Sequence, residues 1–504
     1  MLPFDSLIFR RIHNYSKSHA ESSGKLPRLW EENDDSGKKF KSTEGPTSST
    51  EYHHQVEQEP PKNFHNLDAL FHDTAPAFHG QKLSTDAIIR LGGERFIQSF
   101  SSSLNDISMP SHPYGTSFSG LSDQQVNDIQ LIENLLLSAE KVNQQQFERA
   151  SKLLDWCDML SSSSGNPIQR LVHYFCKALK HKISGETGRI SFSVSGKKHV
   201  QDMVGKMATP NPTALSVYQK LPFLQAAQFS GVQALVDGVA GSKKVHIIDL
   251  AIRQGLQCTI LMQALVSQAN CPIEHLKITA VGVNFKQEIE QTGDRLKSFA
   301  ESMNLSFTFN AVIVKDMLEF KEELLELDLD EALAVYSSHG LWTMLAQQDR
   351  LESLMKVIKS TNPRVMVVCE TAVNLNSPNF VNRFIEALFY YGGFFDALED
   401  CMGCEDENRV IVESMYLANG ILSLVAAEGE ERAIRHVNID VWRKFFARFG
   451  MQELELSMSS IYQANLMVEK VSCGNSCTLD MDGNCLVIGW KGTPIQSLSA
   501  WKFS

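Results

Sequence analysis

The chain has 504 residues, 43% of them hydrophobic, and a formal net charge of −12. That length exceeds one typical domain and fits one large domain plus a tail, with enough apolar residues for a sizeable core. The acidic balance argues against broad, sequence-independent nucleic-acid binding, which draws on a basic surface, and leaves local DNA contact open.

Residues 1–120 are rich in Ser, His, Asn, Gln, Pro and Gly with little sustained periodicity, which predicts a mostly disordered tail. Two islands interrupt it: a short amphipathic turn over 64–71, and a helix over 85–100 suited to docking a partner. Asp5 inside the first apolar stretch, with Arg10 and Arg11 behind it, is the wrong order for a signal peptide. No apolar run approaches the ~20 residues of a membrane span. Ten irregularly spaced cysteines, several in apolar runs, read as reduced core residues of the cytosol or nucleus. Cys401 and Cys404 form a single CxxC without a second pair or a histidine pair, so neither zinc nor redox chemistry is expected there.

The folded part is expected from 121. Ser122 with Gln125 forms a capping-box pattern ahead of Val126, Ile129, Ile132 and Leu135 on one helical face. Phe147, Leu154 and Cys157 mark a second helix, and Ile168, Leu171, Phe175 and Leu179 a third with Pro167 at its start. Leu131, Leu136 and Leu137 fall outside the narrowest core stripe and form the candidate interaction surface. After a polar gap over 184–212, helices and strands alternate. Strands are predicted over 245–250, 277–283, 306–314, 332–337, 364–369 and 452–456, helices over 221–239, 256–269, 287–303, 345–360, 379–391, 433–449 and 461–468. A hairpin over 478–490, turning at Asp482-Gly483, closes the series. This alternation predicts an α/β fold with a mostly parallel, doubly wound sheet, an antiparallel strand at its edge and a helical cap.

Val245-His246-Ile247-Ile248-Asp249 reads as a central buried strand whose acid lies at the carboxyl edge, where such sheets bind ligands. A Rossmann-like methyltransferase would need glycines about two, four and six residues after that acid, and an acid ending the second strand. The chain has Ala251, Arg253 and Gly255, and its second strand ends in Asn284. No cofactor and no metal are therefore expected, and no catalytic residue is assigned. Neither GxSxG nor GxxxxGK[ST] occurs. Ser337-Ser338-His339-Gly340 reads as a loop, because adjacent side chains on an extended segment point apart. His246 is read as a satisfied core histidine. Asp249 is left with three readings: a helix cap, a partner of Arg253, or a ligand.

These segments resemble the plant GRAS family over about 121–504. Residues 245–249 match its VHIID signature. Gln291 to Leu296 with Phe299 and Ala300 is similar to the second leucine-rich region, and 376–399 to the PFYRE region. Trp442 stands eight residues before Gly450, and Trp490 precedes the Ser499-Ala500-Trp501 ending. The resemblance implies a methyltransferase-like fold divided into 121–183, 215–282, 288–320, 331–424 and 428–504. It also implies a nuclear transcriptional regulator that works through other transcription factors and other GRAS proteins, in homo- or hetero-dimers, with DNA contacted directly or through partners and no membrane association. Cys258 stands where the family usually has tryptophan, 339–345 departs from the usual leucine-histidine-x-leucine-leucine stretch, and the DELLA and TVHYNP motifs are missing. Two short basic clusters, Lys38-Lys39-Phe40-Lys41 and Lys197-Lys198, are suited to nuclear import or are solvated patches. Development and root symbiosis both remain open, with symbiosis favoured by the missing DELLA module.

Overall fold

The computed structural model describes residues 83–102, 120–188, 211–268, 271–403 and 405–504. The island at 64–71, both basic clusters and Cys404 lie outside them.

Four helices open the described chain: α1 (Thr85–Ser102), α2 (Asp123–Asn143), α3 (Phe147–Leu160) and α4 (Pro167–Glu186). The capping box at Ser122 and Gln125 forms, with each side chain taking the other's backbone N–H. Asn166 and Gln169 repeat it at α4, with Pro167 in the first turn. Next come α5 (Pro212–Lys220), α6 (Pro222–Gly238), β1 (Lys244–Asp249), α7 (Leu256–Val266), β2 (His275–Val283), α8 (Lys286–Ser302), β3 (Phe307–Val314), β4 (Ala332–Ser338), α9 (Gln348–Thr361) and β5 (Val365–Thr371). Long α10 (Phe380–Cys401) leads into α11 (Glu407–Ala426), which carries a π turn over Val412–Leu417. The chain closes with α12 (Ile439–Ala447), β6 (Met451–Leu454), α13 (Met458–Glu469), β7 (Cys477–Asp482), β8 (Cys485–Trp490) and β9 (Thr493–Phe503).

The strands form one sheet of order β3-β2-β1-β4-β5-β9-β8-β7, with β6 also paired to β9. The first five run parallel. β9 is antiparallel to β5, β8 and β6 alike. The expected hairpin forms as antiparallel β7 and β8, with β7 at the sheet's edge. A further antiparallel strand, β9, lies inside the sheet between β5 and β8, over residues whose motif gives no strand pattern.

Each tryptophan of the terminal motifs is core. Trp442, Trp490 and Trp501 are at most 2% exposed. Trp442 stacks on Phe446 at 5.6 Å, and Phe446 meets Trp501 at 4.7 Å. Trp490 Nε1 donates to Asp396 Oδ1 (3.1 Å) and Trp501 Nε1 to Ser499 Oγ (2.9 Å). Gly450 turns the chain from α12 to β6 at φ +80°, a conformation that glycine adopts without penalty. Ala500 is buried between β5 and β6 partners.

Several expectations need correction. The folded body begins before residue 121: α1 buries Ile89 and Phe96, and Gly92 lets it cross close to Ile132 of α2. The helix expected to dock a partner docks on its own domain. Leu131 and Leu136 are buried at 2% and 1% exposure, with α2 flanked by α1, α3 and α4, and only Leu137 stays half-buried. Among the described residues, α11 is long and apolar enough to cross a membrane. Half of it is buried, Ile421 and Leu424 sit in the core, and Glu413 pairs with Arg170. Finally, Cys401 is joined to Cys473 in a disulfide with Cα atoms 6.0 Å apart, a pairing that 72 residues of separation hide in the sequence.

Candidate functional site

The carboxyl edge of the parallel strands is where a doubly wound sheet binds ligands, and here the chain's own side chains bond across it. β1 delivers Asp249 to that edge. Its Oδ1 accepts from the backbone N–H of Ala251 (2.9 Å), an Asx turn, and its Oδ2 from Gln257 Nε2 (2.8 Å). Burial raises its pKa to about 6 against those two bonds and the Arg253 charge. Asp249 does not cap α7, whose N-cap is Gly255; it forms the turn between β1 and α7 instead, and Arg253 acts on it only through its charge.

Arg253 occupies a left-handed conformation, φ +48°. Thr292 Oγ1 donates to its carbonyl (3.0 Å), and its Nη2 donates to the carbonyl of His339 (3.2 Å). Gly255, the one glycine of the three that a cofactor would want, has another use. Its φ is +72°, and a Cβ there would sit 2.8 Å from the Thr292 methyl on α8. Asn284 and Phe285, at φ +64° and +53°, turn β2 directly into α8. Nothing acidic stands at the end of β2.

β4 and β5 supply the other half. His339, at φ +51°, donates its N–H to the carbonyl of Cys369 (2.8 Å), and its Nε2 lies 2.9 Å from Gln496 Nε2. Burial and the Arg253 charge lower its pKa to about 3, so it is neutral and accepts from Gln496. No hydrogen bond joins it to Ser337 or Ser338 among the described residues. Glu370 Oε1 accepts from the backbone N–H groups of Leu341 (2.9 Å) and Trp342 (3.4 Å) and so anchors the loop after β4. Burial raises its pKa to about 8, which keeps it protonated at neutral pH. Trp342 packs on His436 at 5.0 Å.

The strand and motif pattern puts Asp249, Arg253 and His339 at this edge; Glu370 and Gln496 join them only in the folded chain. The signal for Glu370 was an acid immediately after an apolar strand; Gln496 had none, because β9 was not recognised. His246 lies away from the edge. It is fully buried in β1, with Nε2 2.8 Å from Thr279 Oγ1 and Nδ1 facing Glu331 Oε2 at 3.2 Å, and burial lowers its pKa to about 3. Cys258 is buried in α7.

A second polar centre ties the helical cap to the sheet domain. Arg170 of α4, 1% exposed, reaches Glu413 (3.1 Å) and Glu399 (2.8 Å), and Arg409 shares Glu399 at 2.6 Å. Beside it lies a cleft of about 520 Å³, with His173 and Lys177 on one wall and Asn419 and Leu422 on the other.

Comparison with known proteins agrees with this architecture. Residues 131–502 match the model of the GRAS domain family. The chain is 29% identical to DELLA protein RGL1 of Arabidopsis thaliana over 383 residues, 76% of this chain and 71% of that one. It is 30% identical to DELLA protein RGL3 of the same plant, over 75% and 70%, and 28% identical to DELLA protein 1 of Medicago truncatula, over 76% and 64%. The chain thus spans about two thirds of the length of these relatives. The crystal structure of SCL7 in Oryza sativa superposes with a TM-score of 0.64 at 23% identity, over 74% of this chain and 99% of that one, and shares the fold. The chain belongs to the GRAS family.

Proposed function

We propose that the protein is a nuclear transcriptional regulator that acts as a protein-interaction scaffold rather than as an enzyme. The observation that carries this reading is the carboxyl edge itself. Asp249, Arg253, His339, Glu370 and Gln496 bond to one another's segments where a methyltransferase would hold its cofactor. Family membership supplies the regulatory context. The partners are other transcription factors and other GRAS proteins, in homo- or hetero-association. Half-buried Leu137 is the member of the leucine-rich helix still suited to such a contact. A net charge of −12 disfavours a broad DNA-binding face, so DNA is reached mainly through partners. Root symbiosis is the working assignment of pathway, resting on the missing DELLA module.

The test is to tether the full chain to a reporter promoter through a foreign DNA-binding domain. Transcription should change when the chain is tethered. The purified chain alone should leave promoter DNA unshifted at physiological salt. A salt-resistant shift by the pure protein would favour a directly DNA-binding factor.

A further inference from the structure

Four cations converge where α4, the loop after β5, the start of α10 and the segment before α12 meet. Lys182 and Arg383 both bond to Glu428 Oε1, at 2.9 and 2.6 Å. Arg432 Nη2 and Arg435 Nη1 both donate to Asn376 Oδ1, at 2.9 and 3.1 Å. One neutral carbonyl oxygen therefore stands between two guanidinium groups, where an anionic oxygen would be the stronger acceptor. Lys182 also lies 3.8 Å from Glu186. Among the described side chains, the ion pairs of the four cations thus involve only two carboxylates, Glu428 and Glu186, two fewer than the cations.

The unmet hydrogen bonds of Asn376, Arg432 and Arg435 have one sign. Arg432 Nε and Nη1, Arg435 Nε and Asn376 Nδ2 are buried without an acceptor from the protein, and all four are donors. Arg432 and Asn376 are each 5% exposed. A buried guanidinium without its full set of acceptors is costly, and a cluster of such donors calls for an acceptor from outside the chain. Burial, then the neighbouring Arg383 and Arg435 charges, lower the pKa of Arg432 to about 9, against one carboxylate acting the other way. The place is also right, because Asn376 follows β5 on the ligand-binding side of the sheet.

We propose that Asn376, Arg432 and Arg435, with Arg383 and Lys182 behind them, form a site for a phosphate monoester dianion. Two charges match the excess, and several oxygens match donors that a single carboxylate would leave unmet. Donors this deeply buried are reached by a terminal phosphate on a narrow stem. The singly charged diester backbone of a nucleic acid is too broad. Such a phosphate comes either from a small free molecule or from a phosphorylated side chain of a partner.

The test titrates the full chain with inorganic phosphate, and separately with N-acetyl-phosphoserine amide, against chloride at matched ionic strength, and follows the melting temperature. The site predicts saturable stabilisation beyond that of chloride. Preference for inorganic phosphate points to a free ligand, and preference for the phosphoserine to a partner side chain. Arg435→Gln, at a half-buried position, should fold and weaken binding by about tenfold or more. Asn376→Asp, which supplies the missing anion within the same shape, should raise the melting temperature without ligand and abolish the response to phosphate. Stabilisation no greater than chloride gives, or an unchanged response in Asn376→Asp, would overturn the proposal.

Discussion

The backbone N–H of Thr85 donates to Asp396 Oδ2 at 2.8 Å, joining residues 311 positions apart. The same carboxylate accepts from Trp490 Nε1 (3.1 Å) and pairs with Lys491 Nζ (2.6 Å). One side chain of α10 therefore holds the first described helix and the terminal hairpin together. Burial opposes its charge, yet the Lys491 and Thr85 bonds keep its pKa below the usual carboxylate value.

Because the folded-state pKa is lowered, Asp396 stabilises the protein above the ordinary carboxylate range, and that contribution is lost as pH falls through its folded pKa. Asp396→Ala should cost about 3 kcal/mol at pH 7, since it strands a buried indole N–H and uncouples Lys491. The gap between wild type and variant in urea unfolding should narrow below about pH 4. A gap independent of pH would show that lost packing, not the charge, matters.

Removing residues 1–82 should leave the melting temperature near that of the full chain, whereas removing 1–120 should lower it. The second truncation strips Ile89 and Phe96 from the core and exposes the side of α2 that Gly92 abuts. Losing two buried apolar side chains of this size costs several kcal/mol, roughly 2–5 each. Equal melting of the two truncated chains would mean that α1 is not part of the folded body.

Leu131→Asp and Leu136→Asp should unfold or strongly destabilise the protein, by more than about 3 kcal/mol, because each buries a charge. Leu137→Asp should cost about 1 kcal/mol and leave the fold intact. Light scattering on Leu137→Asp then reports on self-association without the confusion of unfolding. A stable, normally folded Leu131→Asp would contradict the packing of α2.

Glu370 offers a pH-dependent readout of the carboxyl edge. Its folded pKa of about 8 lies above the ordinary 4.5. The folded state therefore holds a proton that the unfolded state releases, and this group's contribution to stability falls as pH rises from about 4.5 to about 8, then levels off. Glu370→Gln keeps the bonds to Leu341 and Trp342 without the ionisation, so its stability relative to wild type should grow across that window. Calorimetric melting at several pH values measures it, and a constant difference would mean that Glu370 is ionised throughout.

The parallel half of the sheet was legible in the sequence because buried parallel strands are apolar runs bounded by helical periodicity, as in 245–249 and 364–369. The antiparallel strand β9 was not. It contains Gln496, Ser497 and Ser499, all buried and all polar, so no hydrophobic alternation announces it. Helix α1 was legible as a helix but not as core, since its partners Asp396 and Thr493 lie hundreds of residues away. At the site, motif positions marked Asp249 and Arg253. Whether the edge is open or filled depends on Glu370 and Gln496, which chain folding alone brings there.

The scaffold reading is tested most directly by calorimetric titration of the full chain with S-adenosylmethionine. The expected result is no saturable heat, because Arg253 and the His339–Gln496 pair take up the carboxyl edge and Gly255 is committed to the contact with Thr292. Saturable micromolar binding that disappears in Asp249→Ala would contradict it and return the protein to the class of cofactor-binding enzymes.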